Sequence, residues 1–275
     1  CFAIFSVLLA LWLPNQYTAS VVLAPAQQET GGLSGALGQL GGLASLAGVN
    51  IGAGESSESK ISQEVMQSWS FIDSFIVKND LAVEVFAGSR WHEEENELAI
   101  DDNLYEVDTQ QWLIEDDDAG GLRPPTSWEL FEEFEQRLSV SEDKITGLVS
   151  VSIEYYSPFI AKEWVDLYVK AINSHMQARE VDKVNRNIEY LQKQIGTTAI
   201  AEMQEVLYTL VEEQIKAKMV AEASPDFAFV AVSPSMLPEE HSQPRRALIC
   251  ILGTLTGGMI SVFWVLGVDY IRRPS

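Results

Sequence analysis

The sequence predicts an α+β chain that includes a long helical hairpin and is flanked by two transmembrane helices. Three observations predict it. Both ends are apolar, with no charged side chain from Cys1 to Leu13 or from Ala247 to Val268. Gln16–Ala26 is β-branched and aromatic, apolar residues alternate over Leu148–Tyr155, and Phe227–Val232 is a short apolar run; all three read as strands. Between the last two, apolar or small residues recur in steps of three and four at Trp164, Leu167, Ala171, Ser174, Ala178, Val181, Asn185, Ile188, Leu191 and Ile195, a helical seam.

The N-terminal apolar run is too short to span a bilayer alone. A signal-peptide core has this length but needs a basic flank before it. An acylated N-terminal cysteine would not normally be followed by a second hydrophobic anchor. The expectation is therefore a first transmembrane helix over residues 1–14, truncated at its start. "YTASVVLAP" then reads as a strand rising from the membrane, stopped by Pro25.

Next comes a low-complexity stretch with nine glycines between Gly31 and Gly54, interleaved with Leu33, Leu37, Leu40, Leu43 and Leu46. Glycine at that density opposes an isolated helix, whereas regular leucines argue against a free linker. A loop or short helix packed on protein is expected. "ISQEVMQSWSFIDSFIVKND" reads as one helix through Ile61, Val65, Trp69, Ile72 and Ile76, with Asn79-Asp80 as its stop.

From His92 to Leu122 there are twelve acidic residues and no Lys or Arg. Such a run reads as a solvated loop, since acid–base catalysis needs carboxylates in differently tuned environments. His92, His175 and His241 lie in unrelated contexts, so no histidine metal site is expected. Beyond Pro125, Thr126 or Ser127 can cap a helix, with Glu129 placed to complete a capping box. The long seam starts at Pro158 and is broken by Gly196-Thr197-Thr198. Ile200, Met203, Leu207, Leu210, Gln214 and Ala217 continue it in a second helix that can fold back on the first. After the Phe227–Val232 strand, Pro234, Pro238 and Pro244 hold an extended descent toward the membrane.

The 22 residues Ala247–Val268 are uncharged, and about 20 helical residues cover the ~30 Å hydrocarbon core. Arg245 and Arg246 precede this span and Arg272 and Arg273 follow it, as interfacial anchors. Within it, Gly253, Gly257 and Gly258 form a small-residue face that would let another helix approach closely, although glycine is also ordinary in membrane helices. The formal charge of −22, from 40 acidic and 18 basic residues, argues against nucleic acid and anionic membrane surfaces as partners. The two cysteines, Cys1 and Cys250, sit in the apolar ends and build neither a disulfide framework nor a zinc site. No phosphate-cradling glycine motif ending in Lys-Ser or Lys-Thr occurs, and no cofactor is expected.

The order of "YTASVVLAP", "LAGVNIG", "RPPTSWELFEEF", "TGLVSVSIEYYSPFIAKEWVDLYVKAIN", "VNRNIEYLQKQI" and "FVAVSPSMLPEEHSQPRRALICILGTLTGGM" resembles the Wzz-type chain-length determinants, the bacterial polysaccharide co-polymerases. The resemblance covers nearly the whole chain. Its most specific part is Pro234, Pro238, Pro244 and Arg245 followed by Gly253, Gly257 and Gly258.

It implies a two-pass inner-membrane protein with both termini cytoplasmic and a periplasmic domain over residues 15–246. A membrane-proximal α/β base would comprise residues 15–157 and 224–246, and a helical projection residues 158–223. The second transmembrane helix would cover 247–268 and a cytoplasmic tail 269–275. The resemblance further implies homo-oligomeric rings, partnership with an O-antigen polymerase of the Wzy type and lipid-linked polysaccharide, and no catalytic residue. Two alternatives stay open: a membrane-anchored periplasmic sensor or scaffold, and a co-polymerase for capsule or exopolysaccharide working with a separate kinase.

Overall fold

The computed structural model describes residues 6, 7, 10, 12–26, 54–115 and 120–272. The glycine/leucine segment expected to pack on protein therefore lies almost wholly outside the described residues, as does most of the first anchor. β1 (Tyr17–Pro25) alternates as its sequence requires, burying Ala19, Val21 and Leu23.

Three helices and a β-hairpin follow. They are α1 (Gly54–Met66), α2 (Trp69–Lys78), α3 (Ala82–Ala87) and the hairpin of β2 (Gly88–His92) with β3 (Glu97–Ile100). The single helix expected over this region is two, because Ser68 adopts an extended backbone (φ −77, ψ 141) between α1 and α2. Its hydroxyl donates to the Val65 carbonyl at 2.7 Å, closing the first helix. The break turns Phe71, Ile72, Phe75 and Ile76 of α2 into the core.

The acidic run is not a featureless loop. It holds β2–β3 and two smaller hairpins, β4 (Tyr105–Glu106) with β5 (Gln111–Trp112), and β6 (Ile114–Glu115) with β7 (Leu122–Arg123). Trp112 explains the order: its ring packs edge-on against Tyr105 at 4.9 Å and against Phe86 of α3 at 6.0 Å. An apolar anchor of that size holds the solvated carboxylates around it.

α4 (Ser127–Arg137) opens with the expected capping box, Thr126 and Glu129 bonding reciprocally. It leads into β8 (Leu138–Glu142), which alternation alone did not reveal. β8 pairs with β9 (Val149–Tyr155) across a turn in which Gly147 has φ +69. With β10 at Phe229–Ser233, the main sheet has the order β10-β1-β9-β8 and is antiparallel throughout. Val149, Val151, Ile153 and Tyr155 fill the inward face of β9.

α5 (Pro158–Thr197) crosses that face and α6 (Ala201–Ala223) folds back along it. The burial of α5 differs from the expected narrow seam. Near the sheet it buries a broad face of Ala161, Trp164, Val165, Tyr168, Ile172, Asn173 and Met176, because sheet, α2 and α4 all press on it. Farther out, Val184 is its buried residue. On α6 the side facing α5 is Gln204, Leu207, Val211, Gln214, Lys218 and Ala221, while the expected seam positions Ile200, Met203, Leu210 and Ala217 are exposed.

An aromatic cluster fills the core: Tyr155 and Trp164 centroids are 4.4 Å apart, and Phe75 meets Tyr168 edge-on at 4.9 Å. Burying each such ring stabilises by roughly 1.5–3 kcal/mol. The hydroxyl of Tyr168 donates to the Met66 carbonyl and that of Tyr155 to the Glu84 carbonyl, tying α1 and α3 to the core. Gly88 is required beside this second bond, since a Cβ there would fall 2.5 Å from the Glu84 carbonyl oxygen.

The chain then returns through β10 (Phe229–Ser233) to α7 (Arg246–Arg272), one helix of 27 residues. Among the described residues no helix is long and apolar enough to cross a membrane.

Candidate functional site at the foot of the domain

The two ends of the domain are joined. The Gln16 amide donates to the Gln243 carbonyl at 3.0 Å, and the Ser242 amide donates to the Gln16 carbonyl at 2.8 Å. Thr18 Oγ1 donates to Ser242 Oγ at 2.8 Å, and Arg246 Nη2 to Asn15 Oδ1 at 2.7 Å. Pro234, Pro238 and Pro244 lie on the irregular descent between β10 and α7. That descent is fastened near its start by Ser235, whose hydroxyl donates to Asp166 of α5 at 2.6 Å. Burial acts to raise the Asp166 pKa, but hydrogen bonds from Lys162 and Ser235 bring it below the usual value.

Higher up, Asn173 joins helix to sheet. Its Oδ1 accepts from the Ala228 and Phe229 amides, both at 2.9 Å, and its Nδ2 donates to the Phe229 carbonyl at 2.8 Å. An amide side chain thus continues the ladder of β10, the reason a polar residue is buried here. Periodicity counted Ser174, not Asn173, and a polar residue next to a seam gives no signal in the sequence.

On α7, a Cβ built at Gly253 would fall 2.5 Å from Ser6 Cβ and 2.9 Å from Ser6 Oγ. Glycine is what allows the N-terminal segment this near. Gly257 is buried, whereas a Cβ at Gly258 would meet no described atom within 4 Å. Arg245 is exposed, and Arg246 is half-buried against Asn15.

Among the described residues, no group of three or more His, Cys, Asp or Glu side chains is placed to hold a metal ion. Asp101 of the acidic run accepts from the amide and side chain of Asn103, at 2.9 and 2.8 Å, which is turn chemistry. Glu84 has its pKa raised by burial and by the nearby Glu163 carboxylate, against a hydrogen bond with the Trp164 side chain that lowers it. His175 lies edge-on to Phe71 at 5.3 Å, and its pKa is lowered by burial and by Lys78 and Arg179.

A cleft of about 670 Å³ runs between α1, the β8–β9 turn and α5. Its cations Arg179, Lys183 and Arg186 are matched in number by the carboxylates Glu58, Glu142 and Glu180. Lys183 pairs with Glu180 at 2.9 Å and Arg186 with Asp182 on their own helix, so no net field is focused there.

The chain matches no protein-family model and no curated protein. Among solved structures it is similar to a full-length bacterial polysaccharide co-polymerase, at 14% identity over 98% of this chain and 94% of that one, with a TM-score of 0.37. It is also similar to a fragment of WzzB, a polysaccharide co-polymerase from Salmonella Typhimurium, at 13% identity over 83% of this chain and 100% of that one, with a TM-score of 0.32. TM-scores of this size mark a distant likeness.

Proposed function

We propose that this chain is a non-enzymatic, two-pass polysaccharide co-polymerase of the Wzz type. It resides in a bacterial inner membrane with most of its mass in the periplasm, and it sets the modal length of O-antigen or a related exported polysaccharide. The observation that carries this reading is the joined foot. Hydrogen bonds between residues 15–18 and 242–246 make both ends of the domain leave from one place. Immediately beyond them the sequence turns apolar on both sides, and α7 at 27 residues is about 40 Å long. Two membrane segments entering side by side, with Gly253 against Ser6, suit an anchor that fixes the domain's height. The motif order in the sequence supplies the family.

The function is scaffolding. Copies of the chain assemble through the exposed apolar side of the α5–α6 projection, and the ring so formed organises a Wzy-type polymerase and its lipid-linked polysaccharide. Chain length is then a property of subunit packing.

The test is the lipopolysaccharide ladder, by gel, from cells lacking the gene and from cells carrying it on a plasmid. A modal cluster of bands that vanishes and returns is expected, and Gly253→Leu is expected to shift the cluster without altering linkage chemistry. An unchanged ladder on deletion overturns the O-antigen assignment. A changed size of secreted polymer instead would assign the chain to a capsule or exopolysaccharide system.

A further inference from the structure

A second, smaller cleft of about 200 Å³ opens at the foot of the domain, between the approach to β1, the β2–β3 hairpin and the start of α7. Trp12, Tyr17, Trp91 and Tyr156 wall it, and Arg90 and Arg246 face it. We propose that this cleft binds the phosphate of a membrane-lipid headgroup. The inference rests on the membrane reading of α7 given above, and it assigns to Arg246 more than an anchoring role.

The cations come first. The Arg90 side chain is exposed and, among the described residues, makes no hydrogen bond or ion pair. Arg246 donates one Nη2 bond to Asn15, which fixes its plane. Its Nε is sealed from solvent without a partner among the described residues. A ligand in the cleft would therefore reach Arg246 through its terminal nitrogens. A guanidinium held in one plane, with a second lining the same cleft, supplies the forked N–H donors that a phosphate accepts. Elsewhere a chain of net charge −22 repels anions, so this cationic pair is a local exception.

Position and size restrict the source. Arg246 opens α7, so the cleft lies where the apolar helix begins. Trp12 is 74% exposed beside it, and Phe159, 50% exposed, packs on Trp91 at 6.0 Å. Exposed aromatic rings beside arginine at the root of an apolar helix are the composition of a membrane–water interface. The volume falls below the ~300–1,000 Å³ of pockets for drug-sized ligands, so it admits a headgroup and not an oligosaccharide. Glu93, on the exposed turn of the hairpin, also lines the cleft and opposes an anion there. Removing it strengthens binding if a phosphate occupies the site.

The full chain in phosphatidylcholine nanodiscs doped with phosphatidylglycerol tests this, by counting phosphatidylglycerol retained per chain in native mass spectrometry. Arg90→Gln with Arg246→Gln is expected to lower retention on the order of tenfold, the effect of losing a charge-assisted hydrogen bond. Glu93→Gln is expected to raise it. Arg245→Gln removes the same charge one residue away, outside the cleft, and is expected to leave retention unchanged. An equal loss in Arg245→Gln would mean diffuse attraction and overturn the site. So would equal retention in the double variant with melting unchanged. Should the double variant fail to fold, Arg90→Gln alone and Trp91→Ala serve, because Arg90 has no partner to lose.

Titration with inorganic phosphate separates the sources. Tight phosphate binding with no phosphatidylglycerol retained would overturn the lipid assignment. Alkaline carbonate extraction of native membranes separates this proposal from the one it rests on. Release of the chain refutes the membrane reading together with the headgroup site, whereas a chain that stays embedded with no cleft-dependent retention refutes the headgroup site alone.

Discussion

The base and the projection of this domain use the same helical periodicity and reach opposite outcomes. In the base, α5 meets a sheet and two further helices, and Trp164, Val165, Tyr168 and Ile172 are at most 1% exposed. In the projection, among the described residues, α5 and α6 pack chiefly on each other. Met203, Val206 and Tyr208 of α6 are 50%, 55% and 61% exposed, and Ala221 is the buried residue of α6.

Polar bonds do much of the pairing there. Gln177 donates to the Ala221 carbonyl at 2.8 Å, Asn187 to Gln214 at 3.2 Å, and Gln204 to the Thr198 carbonyl at 2.8 Å. An apolar repeat on a helix therefore states that a face wants covering. It does not say whether the cover comes from the same chain.

The sharpest way to break this contrast is to remove one large ring from the base. Trp164→Ala empties a site enclosed by Tyr155 and Phe134, at ring distances of 4.4 and 5.8 Å. It should cost about 3–5 kcal/mol, read as a fall in the denaturant midpoint of the full chain. A cost below that of Leu207→Ala in the projection would refute the division. Asn173→Ala comes next. It strands the amides of Ala228 and Phe229 and the Phe229 carbonyl, and should cost roughly 2–3 kcal/mol. Loss of amide-exchange protection centred on β10 would identify the cause.

A smaller effect sharpens the base itself. Glu129 has its pKa lowered to about 2 by the Arg123 guanidinium, bonded at 2.7 and 2.8 Å, and by the Thr126 backbone amide. Because the folded value lies below the ordinary one, its contribution is complete above about pH 5 and is lost as pH falls toward 2. Glu129→Gln should cost about 1 kcal/mol at neutral pH, the usual worth of a cap. It should also flatten the acid limb of the stability curve between pH 4.5 and 2. An acid limb as steep as the parent's would show that other carboxylates govern it.

What the sequence made legible follows the same line. β1, β9 and the Thr126 cap were readable because alternation and a four-residue box are local patterns. The α1–α2 break was not, since Ser68 lies within an unbroken helical repeat and acts through an extended backbone that periodicity ignores. The hairpins of the acidic run were masked by charge, although Trp112 and Tyr105 within it were the visible hint. Of the foot, the prolines and arginines were legible as a descent. Their fastening to Gln16 and Asn15, more than 220 residues away in sequence, depends on tertiary pairing that no local pattern encodes.

The mildest substitutions probe the projection. On α6, Leu207 and Gln214 of the expected seam lie with Gln204 and Val211 on the half-buried side, while Met203, also an expected seam position, and Val206 are exposed. Replacing both with serine removes apolar area that water already reaches, so the isolated chain should lose no more than about 0.5 kcal/mol. Sedimentation of the full chain in detergent then distinguishes the two kinds of cover. Smaller particles with an unchanged unfolding midpoint would mean that another copy supplies what the chain lacks. A midpoint lowered as far as by Asn173→Ala would mean that α6 packs these residues within its own chain, and the contrast between base and projection would fall.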